Sequence, residues 1–394
     1  MVTSRLLLLR RPLLPRTAYF NARYASSKSC DPLRILFCGS DSFSIASLNA
    51  LYKERARDPG AIASIDVVCR PGKRVGRGLK TIREVPIKAA ATKLSLPVHE
   101  IDTFTGWKPP QPDGDPINLI IAVSFGLFVP PRILSSAKYG GLNVHPSLLP
   151  DFRGSAPLHH TLLAGETRTG VTLQTLDTKE FDHGIILDQT PPPGFNIPDP
   201  DTCDVPRLLE LVSGKSAQML AEAIRNRLFV PPLKSVGWRK EDDGASLRHA
   251  RKIKPEDRHI NWSSWATDEI IRRQRILGPL WNNAVVQSSS PSGASEKKRV
   301  IFTNMSIADT VPDGFDSNQM EPGVVFSFAD AQATTGEFDR PLFVTTCDGK
   351  ILRIDEIKVQ GQRSAPAYRA AKKANMLDIQ PTSSLQARFF ACLQ

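Results

Sequence analysis

The sequence predicts an α/β protein: a Rossmann-like domain with a mostly parallel sheet, followed by a smaller domain built as a β-barrel. Three observations carry this. Short apolar strands alternate with amphipathic helices over residues 34–227, the pattern of βαβ units. One strand, residues 118–124, is apolar almost throughout, as a strand covered on both faces must be. From Lys234 onward short β-like runs replace the alternation, as in small barrels. A length of 394 residues also favours two domains.

The elements follow in order. Residues 34–40 (RILFCGS) form a strand ending at a glycine, and Phe43, Ile45, Leu48 and Leu51 then recur at helical spacing. Residues 63–69 are a second strand, and 85–93 are a helix with Pro86 in its first turn, where proline is tolerated. Residues 96–98 are a short edge strand, because Pro97 cannot donate to a ladder. Residues 141–145 are the strand after 118–124, and His159 and His160 fall in a helix following Pro157, where a structural role is expected. The β-branched run 169–176 and the run 184–190 are close enough to pair, and 202–227 is a long helix with Leu208, Leu209, Leu211, Val212 and Leu220 on its apolar side. Beyond a polar linker at 231–245, a helix at 267–277 precedes β runs at 284–287, 299–303, 323–327, 342–346 and 349–354. The catalytic unit is therefore expected at 31–230 and the C-terminal domain at 246–394.

Residues 1–30 contain Arg5, Arg10, Arg11, Arg16, Arg23 and Lys28 but neither Asp nor Glu. Arginine-rich and acid-free, the segment reads as a mitochondrial transit peptide. The six cysteines include no C-x-x-C pair, which fits a reducing compartment and neither a disulfide framework nor structural zinc. The formal charge of +11 suits an anionic partner such as nucleic acid. No run approaches the roughly 20 apolar residues of a membrane span.

Gly39 lacks the second and third glycines of a dinucleotide fingerprint, and there is no phosphate-binding P-loop. The loop RPGKRVGRGLK at 70–80 is more specific. It holds five cations, three glycines and no acid, and it leaves the carboxyl end of a strand, where open α/β sheets build their sites. Alternation then places Asn143 and His145 on one face of their strand. A buried amide can donate to a developing oxyanion, and an imidazole can carry a proton or a charge near neutral pH. Asp182, on the turn before Gly184, can orient the histidine and order a water. With no serine or cysteine in the set, direct attack by a substrate nucleophile on an activated carbonyl fits best.

Asn143-x-His145, Ser147-Leu-Leu-Pro150 followed by Arg153-Gly154, and Asp182-x-Gly184 resemble, in order and spacing, the formyltransferase family that uses 10-formyltetrahydrofolate. Gly76-Arg-Gly78, the full SLLPDFRGSAP stretch and the region after His259-Ile-Asn-Trp262 resemble the branch acting on methionyl-tRNA. The resemblance spans roughly residues 34–377. It implies a Rossmann-like catalytic domain with a C-terminal OB-like barrel that helps hold tRNA. It implies that Asn143, His145 and Asp182 are catalytic, that Ser147, Leu148, Leu149 and Pro150 lie against the folate, and that Phe125, Gly126, Leu127 and Phe128 line the pterin pocket. It further implies that Arg74, Arg77 and Lys80 meet the acceptor end of the tRNA. The enzyme is then expected to be a monomer of the mitochondrial matrix that formylates initiator methionyl-tRNA, without a metal or membrane contact. Phe181 and His183 depart from the family's Leu and Thr, and the stretches 288–298 and 329–340 read as insertions. Two other readings stay open: formyl transfer to a small-molecule amine, and RNA binding without catalysis on the same scaffold.

Overall fold

The computed structural model describes residues 28–238, 246–287, 295–309, 320–328, 340–378 and 385–389. The expected presequence up to residue 27, linker residues 239–245 and insertion residues 288–294 and 329–339 lie outside that set.

The first domain is built on a seven-stranded sheet. In chain order it comprises β1 (Leu33–Gly39), α1 (Ser42–Arg57), β2 (Ile62–Cys69), the short hairpin strands β3 (Lys73–Val75) and β4 (Thr81–Arg83), α2 (Pro86–Lys93) and β5 (Val98–Glu100). β6 (Leu119–Val123), α3 (Pro131–Leu134), β7 (Gly141–His145), α4 (Pro157–Leu163), β8 (Arg168–Thr169), β9 (Thr172–Thr175), β10 (Ile186–Gln189), β11 (Phe195–Asn196) and α5 (Val205–Arg225) complete it. The sheet order is β10-β9-β7-β6-β1-β2-β5. The five strands from β7 to β5 are parallel, and β9 and β10 close the other edge antiparallel. Strand order reverses between β1 and β6, so a crevice opens at their carboxyl ends.

Alternation explains the packing. Leu33, Ile35 and Phe37 of β1 face α1 and α5 in one core, while Leu36 and Cys38 face α3 and the Phe104–Phe125 layer in another. Each large side chain buried this way contributes roughly 1.5–3 kcal/mol. Asp41 caps α1 by accepting from the Ser44 amide at 3.1 Å, and Asp204 caps α5 through the Arg207 amide at 2.9 Å. The two helices are clamped where Arg225 and Arg57 both bind the Glu54 carboxylate.

The run expected as a single strand at 169–176 is two strands, β8 and β9, broken at Gly170 and Val171. β8 pairs with β11 in a separate ribbon. The expected basic loop is a hairpin, with Lys73 opposite Arg83 and Val75 opposite Thr81. The expected edge strand falls later, at β5, because Pro97 gives only its carbonyl, to the Val67 amide.

The second unit comprises α6 (Thr267–Leu277), β12 (Leu280–Val286), β13 (Glu296–Ile307), β14 (Val325–Phe328), β15 (Leu342–Thr345), β16 (Ile351–Val359), β17 (Ala365–Pro366), α7 (Ala367–Lys373), β18 (Leu377–Asp378) and β19 (Leu385–Phe389). Its strands form one antiparallel sheet of order β12-β13-β16-β15-β14-β19-β18, with β17 on β16. Trp262 meets Phe302 edge-on at 5.9 Å in its core. Among the described residues no helix is long and apolar enough to cross a membrane.

A strap joins the two units. Residues 248–250 run beside the turn after β7: the Phe152 amide donates to the Arg248 carbonyl, the Ala250 amide to Arg153, and the Ala156 amide to Ala250, at 2.6, 2.7 and 3.0 Å. The Arg248 guanidinium also lies 4.3 Å from the Phe152 ring centroid.

Candidate active site

The crevice at the carboxyl ends of β6 and β7 holds a cavity of about 730 Å³. Asn143, His145 and Asp182 all line it, as do Phe125, Gly126, Leu127 and Phe128. The residues expected from two distant segments thus meet at one place. β7 supplies Asn143 and His145 from alternate positions of one strand. The turn between β9 and β10 supplies Asp182, which sits at φ 60°, a left-handed conformation that aspartate tolerates better than most residues.

The hydrogen bonds define each group's role. Asn143 Nδ2 donates to the Ala122 carbonyl at 2.8 Å, and Asn143 Oδ1 accepts from Gln174 Nε2 at 3.2 Å. His145 is almost fully buried. Its Nε2 lies 3.0 Å from the Phe152 carbonyl, so Nε2 must donate, and Nδ1 lies 3.5 Å from Asp182 Oδ1. Both ring nitrogens therefore face oxygens, and only the doubly protonated ring donates to both. The Asp182 carboxylate accepts from the Gly154 amide at 3.0 Å and from Gln174 Nε2 at 3.1 Å, while its carbonyl accepts from Arg153 Nε at 2.8 Å.

The rim is mixed in character. Phe128 and Phe181 meet edge to face at 5.2 Å, so the departure at Phe181 builds an aromatic wall at the mouth. Asp177 is held below the usual carboxylate range because the Lys179 and Glu180 amides donate to it. Burial pushes His159 below the ordinary histidine value, reinforced by His160 and Arg258. His159, expected to be structural, also reaches the cavity wall.

Ser147, Leu148, Leu149 and Pro150 are not on this cavity. Ser147 Oγ donates to the Asp151 carbonyl at 2.8 Å, the Leu149 amide donates to Thr172 Oγ1 at 3.1 Å, and Thr172 Oγ1 donates to the Ser147 carbonyl at 2.7 Å. The Leu148 side chain lies over Gly170 and Gly194 instead. Through Thr172 the turn is tied to β9, beside the cavity-lining residues.

Arg74 lies in β3, Arg77 opens the turn at residues 77–79, and Lys80 ends it; Arg74 and Lys80 do not line the cavity. Among the described residues, Lys73, Arg74, Lys80 and Arg83 make no ion pair. Lys73 and Arg83 face each other directly, an arrangement that costs stability unless an anion lies between them. No group of three or more His, Cys, Asp or Glu side chains that could hold a metal ion occurs among the described residues.

Sequence reasoning missed Gln174 and Arg251, both on the cavity wall. Gln174 acquires its place only through the cross-strand register with Asn143. Arg251 arrives on the strap, ion-paired to Asp257 at 2.9 Å.

A family model described as formyl transferase matches residues 33–202. The chain is 31% identical over 377 residues to the mitochondrial methionyl-tRNA formyltransferase of Saccharomyces cerevisiae, covering 87% of this chain and 90% of that one. It is 34% identical over 271 residues to a putative methionyl-tRNA formyltransferase of Schizosaccharomyces pombe, covering 64% and 74%. It is 31% identical over 266 residues to the human mitochondrial methionyl-tRNA formyltransferase, covering 67% and 62%. With near-complete coverage of the first of these and the Asn143, His145 and Asp182 side chains gathered on one cavity, the chain belongs to the methionyl-tRNA formyltransferase family.

Proposed function

We infer that the protein transfers the formyl group of 10-formyltetrahydrofolate to the α-amino group of methionyl-tRNA, for initiation of translation in the mitochondrial matrix. The observation that carries this is the convergence of Asn143, His145 and Asp182 on one cavity in a chain of this family. The mitochondrial relatives and the arginine-rich presequence support the compartment.

The free amine attacks the formyl carbon and a C–N bond forms. Asn143 keeps one amide hydrogen without an acceptor among the described residues, since the other is taken by Ala122. That hydrogen donates to the tetrahedral oxyanion, and the positive charge of the protonated His145 ring beside it adds to the stabilisation. Asp182 holds the imidazolium, and a water on its carboxylate relays the proton lost by the amine to the departing folate nitrogen. Collapse breaks the bond to that nitrogen and releases tetrahydrofolate and formyl-methionyl-tRNA. Phe125–Phe128 line the pterin pocket and Ser147–Pro150 lie against the folate, as the family resemblance implies.

Arg74, Arg77 and Lys80 on the β3–β4 hairpin meet phosphates of the acceptor stem, a reading supported by Arg74 and Lys80 making no ion pair among the described residues. The C-terminal sheet is the OB-like barrel of the resemblance. Its two edge regions meet where the Gln287 amide, after β12, donates to the Asn375 carbonyl, before β18, at 3.0 Å. One assay tests the whole reading: the protein is incubated with 10-formyltetrahydrofolate and either methionyl-tRNA or free amines. Formyl-methionyl-tRNA is expected. Formylation of free amines alone would replace the reading with the small-molecule one, and no formylated product would leave RNA binding.

A further inference from the structure

We propose that Gln174 is a positioning residue for formyl transfer, a single amide that sets the orientation of the oxyanion donor and of the catalytic carboxylate together. The proposal rests on the roles assigned above to Asn143 and Asp182.

The network admits one arrangement of its two amides. Ala122 offers a carbonyl, so the Asn143 group facing it must be Nδ2. Gly184 offers a backbone amide to Gln174 at 3.2 Å, so the group facing it must be Oε1. Gln174 Nε2 is then left to give its two hydrogens to Asn143 Oδ1 and Asp182 Oδ1, at 3.2 and 3.1 Å. Every polar atom of Gln174 is used, and the side chain is only 1% exposed. The consequence for Asn143 is specific. Its oxygen is held toward the sheet, and its second amide hydrogen is left for the cavity. Without a donor at position 174, Asn143 Oδ1 and Asp182 Oδ1 lose their shared partner, and the amide, held only at Ala122, can swing out of line with a developing negative charge. Strand register puts the side chain within reach of both groups, since Gln174 lies directly across from Asn143 in the β7–β9 ladder.

Two substitutions separate orientation from packing. Gln174→Glu keeps the acceptor for Gly184 but replaces both donated hydrogens with an oxygen. Gln174→Met keeps the length and removes all polarity. With 10-formyltetrahydrofolate and methionyl-tRNA, each is expected to lower kcat by about 10²-fold, as misplacement of a catalytic group does. KM for the folate should change by less than about threefold, since the loss lies in the transition state. On an Asn143→Ala background the cost of Gln174→Met should shrink by about tenfold or more, because the amide it orients is gone. Near-normal kcat in both single variants overturns the proposal while leaving the site reading intact. So does an equal cost in both backgrounds, or a loss of folding in both, which marks a purely architectural residue. Near-normal kcat in Asn143→Ala alone overturns the site reading, and the proposal falls with it.

Discussion

Asn143 and His145 show how little of a reactive group's chemistry is its own. Each is pinned on one side by a backbone carbonyl, Ala122 or Phe152, which leaves one Asn143 amide hydrogen facing the cavity and turns His145 Nδ1 toward Asp182. Removing one donor of this kind costs about 10²–10³ in rate. Asn143→Ala and His145→Ala are therefore each expected to lose that factor in kcat in the formylation assay, with folding unchanged by circular dichroism. Retention of kcat by either would remove that residue from the mechanism. Both side chains were legible in the sequence, because strand alternation needs only the spacing of residues 143 and 145. Asp182 was legible from its place before a glycine. Gln174 was not, since nothing in VTLQTL marks the residue that the register will set opposite Asn143. The ties of the turn at 147–150 were not legible either: its bonds to Thr172 depend on how β9 lies behind it.

At the scale of elements, the β9–β10 hairpin bears Asp182 on the cavity and the β3–β4 hairpin bears a cluster of cations. A Cβ on Gly184 would fall 1.7 Å from the Thr175 carbonyl oxygen, so the turn bearing Asp182 needs glycine there for close strand approach. Gly184→Ala is expected to destabilise by on the order of 3 kcal/mol, seen as a lowered Tm, together with a loss of activity. An unchanged Tm would show that the hairpin has room the structure does not give it. The β3–β4 hairpin escaped the sequence reading as a hairpin because three-residue strands leave no alternation to see, although its charge was plain. Arg74→Ala and Lys80→Ala should each raise KM for methionyl-tRNA. Each should also reduce the slope of log KM against log salt by about 1 per lost phosphate contact. A slope equal to that of the unmodified protein would place the RNA elsewhere.

Across the whole molecule, the alternation of the sheet's central strands with the helices of the first domain was legible, because strands such as β1 and β6 are covered on both faces and read as apolar runs. The long-range ties were not. Glu54 and Arg225 sit far apart in sequence but bind each other through two hydrogen bonds that clamp α1 to α5. Arg225, with Arg57 adding, holds the Glu54 carboxyl below its ordinary range. The unfolded chain therefore takes up that proton first as pH falls. The clamp's stabilisation is complete above the ordinary glutamate value of about 4.3 and is lost as pH drops through the lower folded value. Glu54→Gln is expected to cost about 1–3 kcal/mol at pH 7 and progressively less below pH 4, measured by urea denaturation. An equal cost at both pH values would mean that the contact is not ionic.

The strap has a consequence for anyone recombining these domains. Its bonds to Phe152, Arg153 and Ala156 are main-chain bonds, so no side-chain signature announces them, and the sequence alone would put a splice site in the polar stretch before residue 246. A chimera cut there would bring a foreign segment against the very peptide whose carbonyl accepts the hydrogen bond from His145 Nε2. A crossover placed after Arg258 would carry residues 248–250 along with their own catalytic half.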